Sequence, residues 1–334
     1  MLKINHNTIF YIACPANFAT GGPEDLHQLA DELRNLGHKA YMYYYNYKKS
    51  KGHPVHKEYV HFNIPYVTKV ENDENNVLIL PETSTVMLWK KKYSKMQHVV
   101  WWLSVTNFFI VLSTIKKKKL FFWKKIFKKN QIPTVENINK TRAFHLAHSY
   151  FSLDFLRNNQ MNILGQIQDY MDDMFYTNEN LFEQKEKIVT YNGVKNGEFL
   201  EKIKAKTPDV NWLPMQNMTL KEVADCMKKA MVYIDFGYHP GKEKMPREAC
   251  LLDCCMIVGK DGSAKYKEDM PILDEYHFEK NEKYIPEIIN KIYDCLENYE
   301  TKIKDFKTYK EFLLKEKETF KADVKQVFSI NESL

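Results

Sequence analysis

Short apolar runs recur along this chain, each ending in a turn of small residues and each followed by a stretch with helical spacing. The first instance is complete. Thr8 to Ala13 form an apolar run, and in the following ATGGPEDLHQLADELRNLGH the residues Leu26, Leu29, Ala30, Leu33 and Leu36 recur on one helix face. Pro23 suits a first helical turn, Glu24 and Asp25 suit its positive end, and Gly37 stops it before a second run, Ala40 to Tyr45. Strand, glycine turn, helix and strand make a βαβ unit with a right-handed parallel crossover. Such a chain folds as an α/β domain around a parallel sheet.

The alternation continues through Val77 to Leu80, the run from 99 to 105, and Ala143 to Ala147. It then restarts at KIVTYN, 187–192, and runs through NWLPM, MVYIDF and CMIVG with helical segments between them. At 334 residues the chain exceeds what one core usually sustains. The expectation is two Rossmann-like, doubly wound domains, 1–175 and 176–334, with the linker within 165–185 and a helical tail from Glu282 to about Val327. The charged part of the tail, 296–325, reads as a solvated helical face.

Six cysteines, at 14, 226, 250, 254, 255 and 295, form neither CxxC pairs with histidines nor a dense framework, so no zinc site and no disulfide scaffold is expected. The N-terminal MLKINHNTIFYIACP lacks the features of a signal peptide, and a cytoplasmic location is expected. The uncharged VVWWLSVTNFFIVLSTI, 99–115, meets the lower length for a membrane span. Its polar interruptions, and the resemblance of VVWWLSV to a buried parallel strand, favour a strand followed by a helix. Asp172 and Asp173 are a tempting metal pair but suit an exposed helix or linker, and no metal site is expected.

Open parallel sheets bind ligands beyond the carboxyl ends of their strands, so the residues directly after each strand carry the functional information. After the first strand, Gly21 and Gly22 precede a helix and let backbone N–H groups approach an anion. The G-x-G-x-x-G fingerprint is absent, which disfavours a dinucleotide-dependent dehydrogenase. After the strand at 187–192 come Asn192 and Lys195, the latter between two glycines and placed as a point charge for a phosphate. After MVYIDF comes GYHPGKEKMPREAC, with His239, Gly241 and Lys242 in a loop and Arg247 and Glu248 in the first turn of a helix begun by Pro246. The next turn offers Gly262 and Ser263. An arginine and lysines beside a carboxylate, at glycine-rich turns, suit a diphosphate and a ribose.

Taken together, PANFATGGPEDLHQLADELRNLGHKAY, YNGVKNG, YIDFGYHPGKEKMPREA and CMIVGKDGSA resemble bacterial glycosyltransferases of the GT-B class, family 1/4-like, over about 10–275. The resemblance implies two Rossmann-like domains facing a cleft, a nucleotide-sugar donor on the second, an acceptor on the first, and Glu248 at the donor ribose. Many retaining members carry another glutamate eight positions earlier, where this chain has Pro240, so the stereochemical outcome is left open. Donor-binding candidates are Gly21, Gly22, Asn192, Lys195, His239, Gly241, Lys242, Arg247, Glu248, Gly262 and Ser263. Glu82, after a first-domain strand, and His27, in the first helix, are the candidates for the catalytic base. The lysines, the arginine and the helix ends can carry the leaving diphosphate's charge, so no metal and no cofactor is expected, the nucleotide sugar being a co-substrate.

Net charge is +6, and eight lysines without one acid lie between Lys116 and Lys129. In LFFWKKIFKK, 120–129, the lysines and most of the apolar residues separate to opposite halves of a helix, which suits an anionic membrane surface on the cytoplasmic side, or a helix packed on its own domain, and not a nucleic acid. The expected function is transfer of a sugar from a nucleotide-diphosphate sugar to a glycan or lipid-linked acceptor in surface polysaccharide synthesis. The alternatives are a nucleotide-sugar epimerase on the same scaffold and a surface-binding protein without catalysis.

Overall fold

The computed structural model describes residues 2–48, 52–122, 132–177 and 181–330. Two compact units divide the chain, the first Met1–Asp169 with Glu318–Leu334, the second Tyr170–Lys317. The end of the tail thus groups with the first unit and not, as expected, with the second. Its chemistry gives the reason. Phe320, Val324 and Phe328, four residues apart, are at most 1% exposed, and Phe328 meets Phe10 edge-on at 5.5 Å. This apolar stripe belongs to a core, so the expectation of a mostly solvated tail does not hold for these residues.

The first unit is built on a seven-stranded sheet: β1 (Ile9–Cys14), β2 (Lys39–Tyr44), β3 (Tyr66–Val67), β4 (Val77–Pro81), β5 (Gln97–Trp102), β6 (Phe144–Ala147) and β7 (Ile163–Gln166). Their order is β3-β2-β1-β4-β5-β6-β7, with every pairing parallel. The apolar runs VLILP and VVWW are buried without alternation because helices cover both faces of such a sheet. Its helices are α1 (Gly21–Asn35), α2 (Val105–Phe122), α3 (Val135–Asn139) and α4 (Tyr150–Asn158). The segment 99–115 is therefore the end of β5 followed by α2. Among the described residues no helix is long and apolar enough to cross a membrane. Of the basic aromatic segment 116–129, residues 123–129 lie outside the described residues.

In the second unit the strands are β8 (Glu186–Asn192), β9 (Asn211–Met215), β10 (Ala230–Asp235), β11 (Cys255–Gly259) and β12 (His277–Phe278), in the order β12-β11-β10-β8-β9 and again parallel. Helices α5 (Gly197–Lys204), α6 (Leu220–Lys229), α7 (Lys244–Leu251), α8 (Ile285–Glu297), α9 (Tyr299–Lys302) and α10 (Lys307–Leu313) accompany them, and α11 (Glu316–Val327) begins at the end of this unit. Cys250, Cys254, Cys255 and Cys295 are buried free thiols in this core. Lys185 locks α6 and α7 to the sheet. Its buried ammonium donates to the carbonyls of Met227, Ala230 and Leu252 at 2.9, 2.8 and 2.6 Å, meeting the negative ends of both helices. Burial lowers its pKa.

Candidate functional site

In each sheet there is one place where successive connections leave in opposite directions, and the loops there part to leave a crevice. In the second unit it lies between β8 and β10, since the chain passes from β8 to β9 on one side and resumes with β10 on the other. The turn 192–197 and the loop 236–243 leave from these two strands, and the turn 260–263 leaves from β11 beside them. Thus Asn192, Lys195, His239, Gly241, Lys242, Gly262 and Ser263 all lie on one rim.

Short hydrogen bonds stitch these three segments together. The amide of Phe236 donates to Asn196 Oδ1 at 2.5 Å, and that of Gly237 donates to Asp235 Oδ1 at 2.7 Å. Ser263 donates through Oγ to Gly241 O at 2.6 Å and through its amide to His239 O at 3.2 Å. Gly262 has φ +49° and lies so close to His239 that a Cβ would fall 1.7 Å from the His239 carbonyl oxygen. Only glycine fits there. Asn192 closes its own turn by accepting from the Val194 amide at 2.9 Å, and its Nδ2 faces Met245 Sδ at 3.1 Å. Lys195 stands at the mouth, 28% exposed, paired with Glu243 at 2.5 Å and lying over the exposed Tyr238 ring.

Two of the expected phosphate contacts are placed otherwise. α7 starts at Lys244, two residues before Pro246, so Arg247 completes its first turn and Glu248 begins the second. Arg247 is 1% exposed, and its Nη1 lies 3.2 Å from both carboxylate oxygens of Glu316, while Lys242 Nζ lies 2.7 Å from Glu316 Oε1. Arg247 also donates to the carbonyls of Glu243 and Lys242 at 3.2 and 3.1 Å. These cations answer a carboxylate in a dry interior. Glu248 is buried as well, and His239 is buried with no hydrogen bond to either ring nitrogen among the described residues. Sequence reasoning missed Asn196, Asp235, Glu243 and Glu316. Asp235 ends β10 and Asn196 lies in the turn after β8, where the rule applied to their neighbours would have found them. Nothing local marks Glu316, 69 residues from Arg247.

The first unit repeats the geometry between β1 and β4. Gly21 and Gly22 open α1, where a Cβ on Gly22 would come within 3.3 Å of Leu103 Cδ1. Glu82 follows β4 and is 3% exposed, and its Oε2 accepts from the Leu103 amide at 3.0 Å. Burial, more than the Asp25 charge beside it, pushes its pKa up to about 8, so it carries a proton at neutral pH. His27 is 1% exposed, with Nδ1 2.6 Å from Pro23 O and Nε2 2.8 Å from the Tyr44 hydroxyl. Both nitrogens are engaged, and burial lowers its pKa to about 4. Beside it lies a cavity of about 530 Å³, lined by residues including Arg34, Tyr44, His53, Tyr59 and Tyr66. Three further buried groups meet at the ends of this sheet: Asp25 on α1, His148 after β6 and Asp169 after β7. Their sequence neighbourhood gave no reason to connect them.

No protein-family model matches the sequence, and no curated protein matches it either. Solved structures do. HepE of Anabaena, determined with UDP-glucose, superposes with a TM-score of 0.65 over 96% of this chain and 99% of its own, at 11% identity. Sucrose-phosphate synthase of Thermosynechococcus elongatus gives 0.64 over 96% and 98%, at 12% identity. TarM of S. aureus gives 0.54 at 14% identity over 78% of this chain, which spans only 56% of TarM. The two parallel sheets with their helices are the GT-B fold of glycosyltransferases.

Two outcomes follow from these contacts. Replacing Glu316 with Gln leaves two buried cations without their carboxylate, and breaking such a group costs about 3–5 kcal/mol. Urea unfolding of Glu316→Gln should show a loss of that size, and a change below about 1 kcal/mol would contradict the triad's role. The second concerns His27, whose folded pKa lies below its ordinary 6.5. The unfolded chain then binds the proton first, so stability is full above about 6.5 and falls as pH drops toward 4. Relative to His27→Gln, the wild type should lose roughly 3 kcal/mol across that window, at about 1.4 kcal/mol per pH unit. Parallel pH profiles of the two proteins would show that His27 does not titrate this way.

Proposed function

We propose that the chain is a glycosyltransferase that takes a sugar from a nucleotide-diphosphate donor bound at the β8–β10 crevice and passes it to a glycan or lipid-linked acceptor. The observation that carries this is the convergence, in a GT-B fold, of three small-residue loops at the switch point of the second sheet, with Lys195 at the mouth. HepE, which shares the fold, was solved with UDP-glucose. Lys195 exchanges Glu243 for the donor diphosphate, whose greater charge outcompetes one carboxylate. Asn192, Gly241 and the Gly262–Ser263 turn shape the pocket wall, and Glu248 takes the ribose hydroxyls. Lys242 and Arg247 hold the loop in place through Glu316. The leaving diphosphate is met by lysine and backbone N–H groups, with no metal in that step and no cofactor.

The acceptor belongs to the first unit, whose cavity offers tyrosine faces and hydroxyls beside Arg34 and His53, a chemistry suited to sugar rings. With the basic aromatic segment 116–129 placed against anionic lipid, the protein works at the cytoplasmic face of the membrane in surface polysaccharide synthesis. Tests begin with nucleotide binding. A ligand at 100 times its dissociation constant adds about 2.7 kcal/mol to stability, so a thermal-shift panel of nucleotide diphosphates and their sugars should single out one base. Lys195→Ala should bind that ligand about tenfold to a hundredfold more weakly at an unchanged melting temperature. No response to any nucleotide diphosphate, or equal affinity in Lys195→Ala, would refute the assignment.

A further inference from the structure

Asp25, His148 and Asp169 come from three separate segments of the first unit, and one ligand atom of each lies within 4.8 Å of the others. The three residues are 4%, 2% and 0% exposed. His148 Nε2 points between the carboxylates, 3.7 Å from Asp25 Oδ2 and 3.0 Å from Asp169 Oδ1. Among the described residues neither ring nitrogen of His148 makes a hydrogen bond, the short approach to Asp169 included. Two carboxylates and an imidazole are thus brought together in a dry place without the bond that would explain the imidazole's orientation.

We propose that these residues bind a divalent first-row transition-metal ion through Asp25 Oδ2, His148 Nε2 and Asp169 Oδ1. The two separations from His148 Nε2, 3.0 and 3.7 Å, lie close to the roughly 3–3.6 Å at which metal–ligand bonds of about 2.0–2.2 Å place neighbouring ligand atoms. Mixed imidazole and carboxylate donors favour manganese, iron or zinc over magnesium. The scaffold holds the ligands in position: the His148 amide donates to Ser152 Oγ at 2.9 Å, and the Trp101 ring packs edge-on against the imidazole at 5.8 Å. The ion sits in the first unit and takes no part in holding the donor diphosphate, which belongs to the second. Its work is to join α1 to the ends of β6 and β7.

Because the ligands are buried, the ion enters as the chain folds, and the full-length protein should be made in cobalt-supplemented minimal medium and dialysed against chelator. Elemental analysis should find first-row metals summing to about one per chain. The cobalt-loaded protein should show visible d–d absorption and one hyperfine-shifted exchangeable proton from His148 Nδ1–H. His148→Gln and Asp169→Asn should each lose the metal while nucleotide binding by the second unit persists. Metal-free wild-type protein, absence of the shifted proton, or full metal content in folded variants would overturn the proposal. The wild-type measurements decide it even where a variant does not fold.

Discussion

The carboxylate of Glu316, enclosed with Lys242 and Arg247, is the contact on which the rim of the second unit depends. Arg247 sits on α7, Lys242 in the loop before it, and Glu316 at the start of the last helix. Charges removed from water are costly unless each is matched, so one misplaced member would expose the other two to that penalty. The arrangement is accordingly stiff. Through Arg247 it also satisfies the carbonyls of Lys242 and Glu243, which fixes the path of the chain into α7. The glycine-rich loop is held from below by ions and from the side by Ser263, and what it leaves at the surface is Lys195 with Glu243 and Tyr238.

That rim lies where parallel-sheet topology makes a crevice. The topology follows from apolar runs buried on both faces and joined by helices, and the crevice follows from one reversal of strand order. The GT-B fold contains two such sheets. In the second, the turns after the strands are tied to one another by hydrogen bonds from their backbone amides. In the first, the equivalent position is occupied by buried polar groups: Glu82 anchoring the turn after β5, His27 bridging Pro23 and Tyr44, and the Asp25, His148 and Asp169 cluster.

Much of this was legible in the chain. The alternation of strand and helix, the run VVWW as a strand, and the turns after β8, β10 and β11 could be read because each depends on neighbouring residues. β3 and β12, with only two residues, and β7, whose ILGQ is half-buried throughout and carries a glycine, could not. Lys242 and Arg247 looked like phosphate ligands because their sequence surroundings are identical whether the partner is an anionic substrate or a distant glutamate. Only the folded chain brings Glu316 to them. The tail misled for a related reason: its many charges hide Phe320, Val324 and Phe328, whose spacing of four is a core stripe.

The central claim is that a nucleotide diphosphate sits at the β8–β10 crevice, and amide hydrogen exchange with and without the nucleotide reads its location directly. Binding there should slow exchange together in 192–197, 236–248 and 260–263. Protection confined to the first unit, or none in these three segments at saturating nucleotide, would contradict the account.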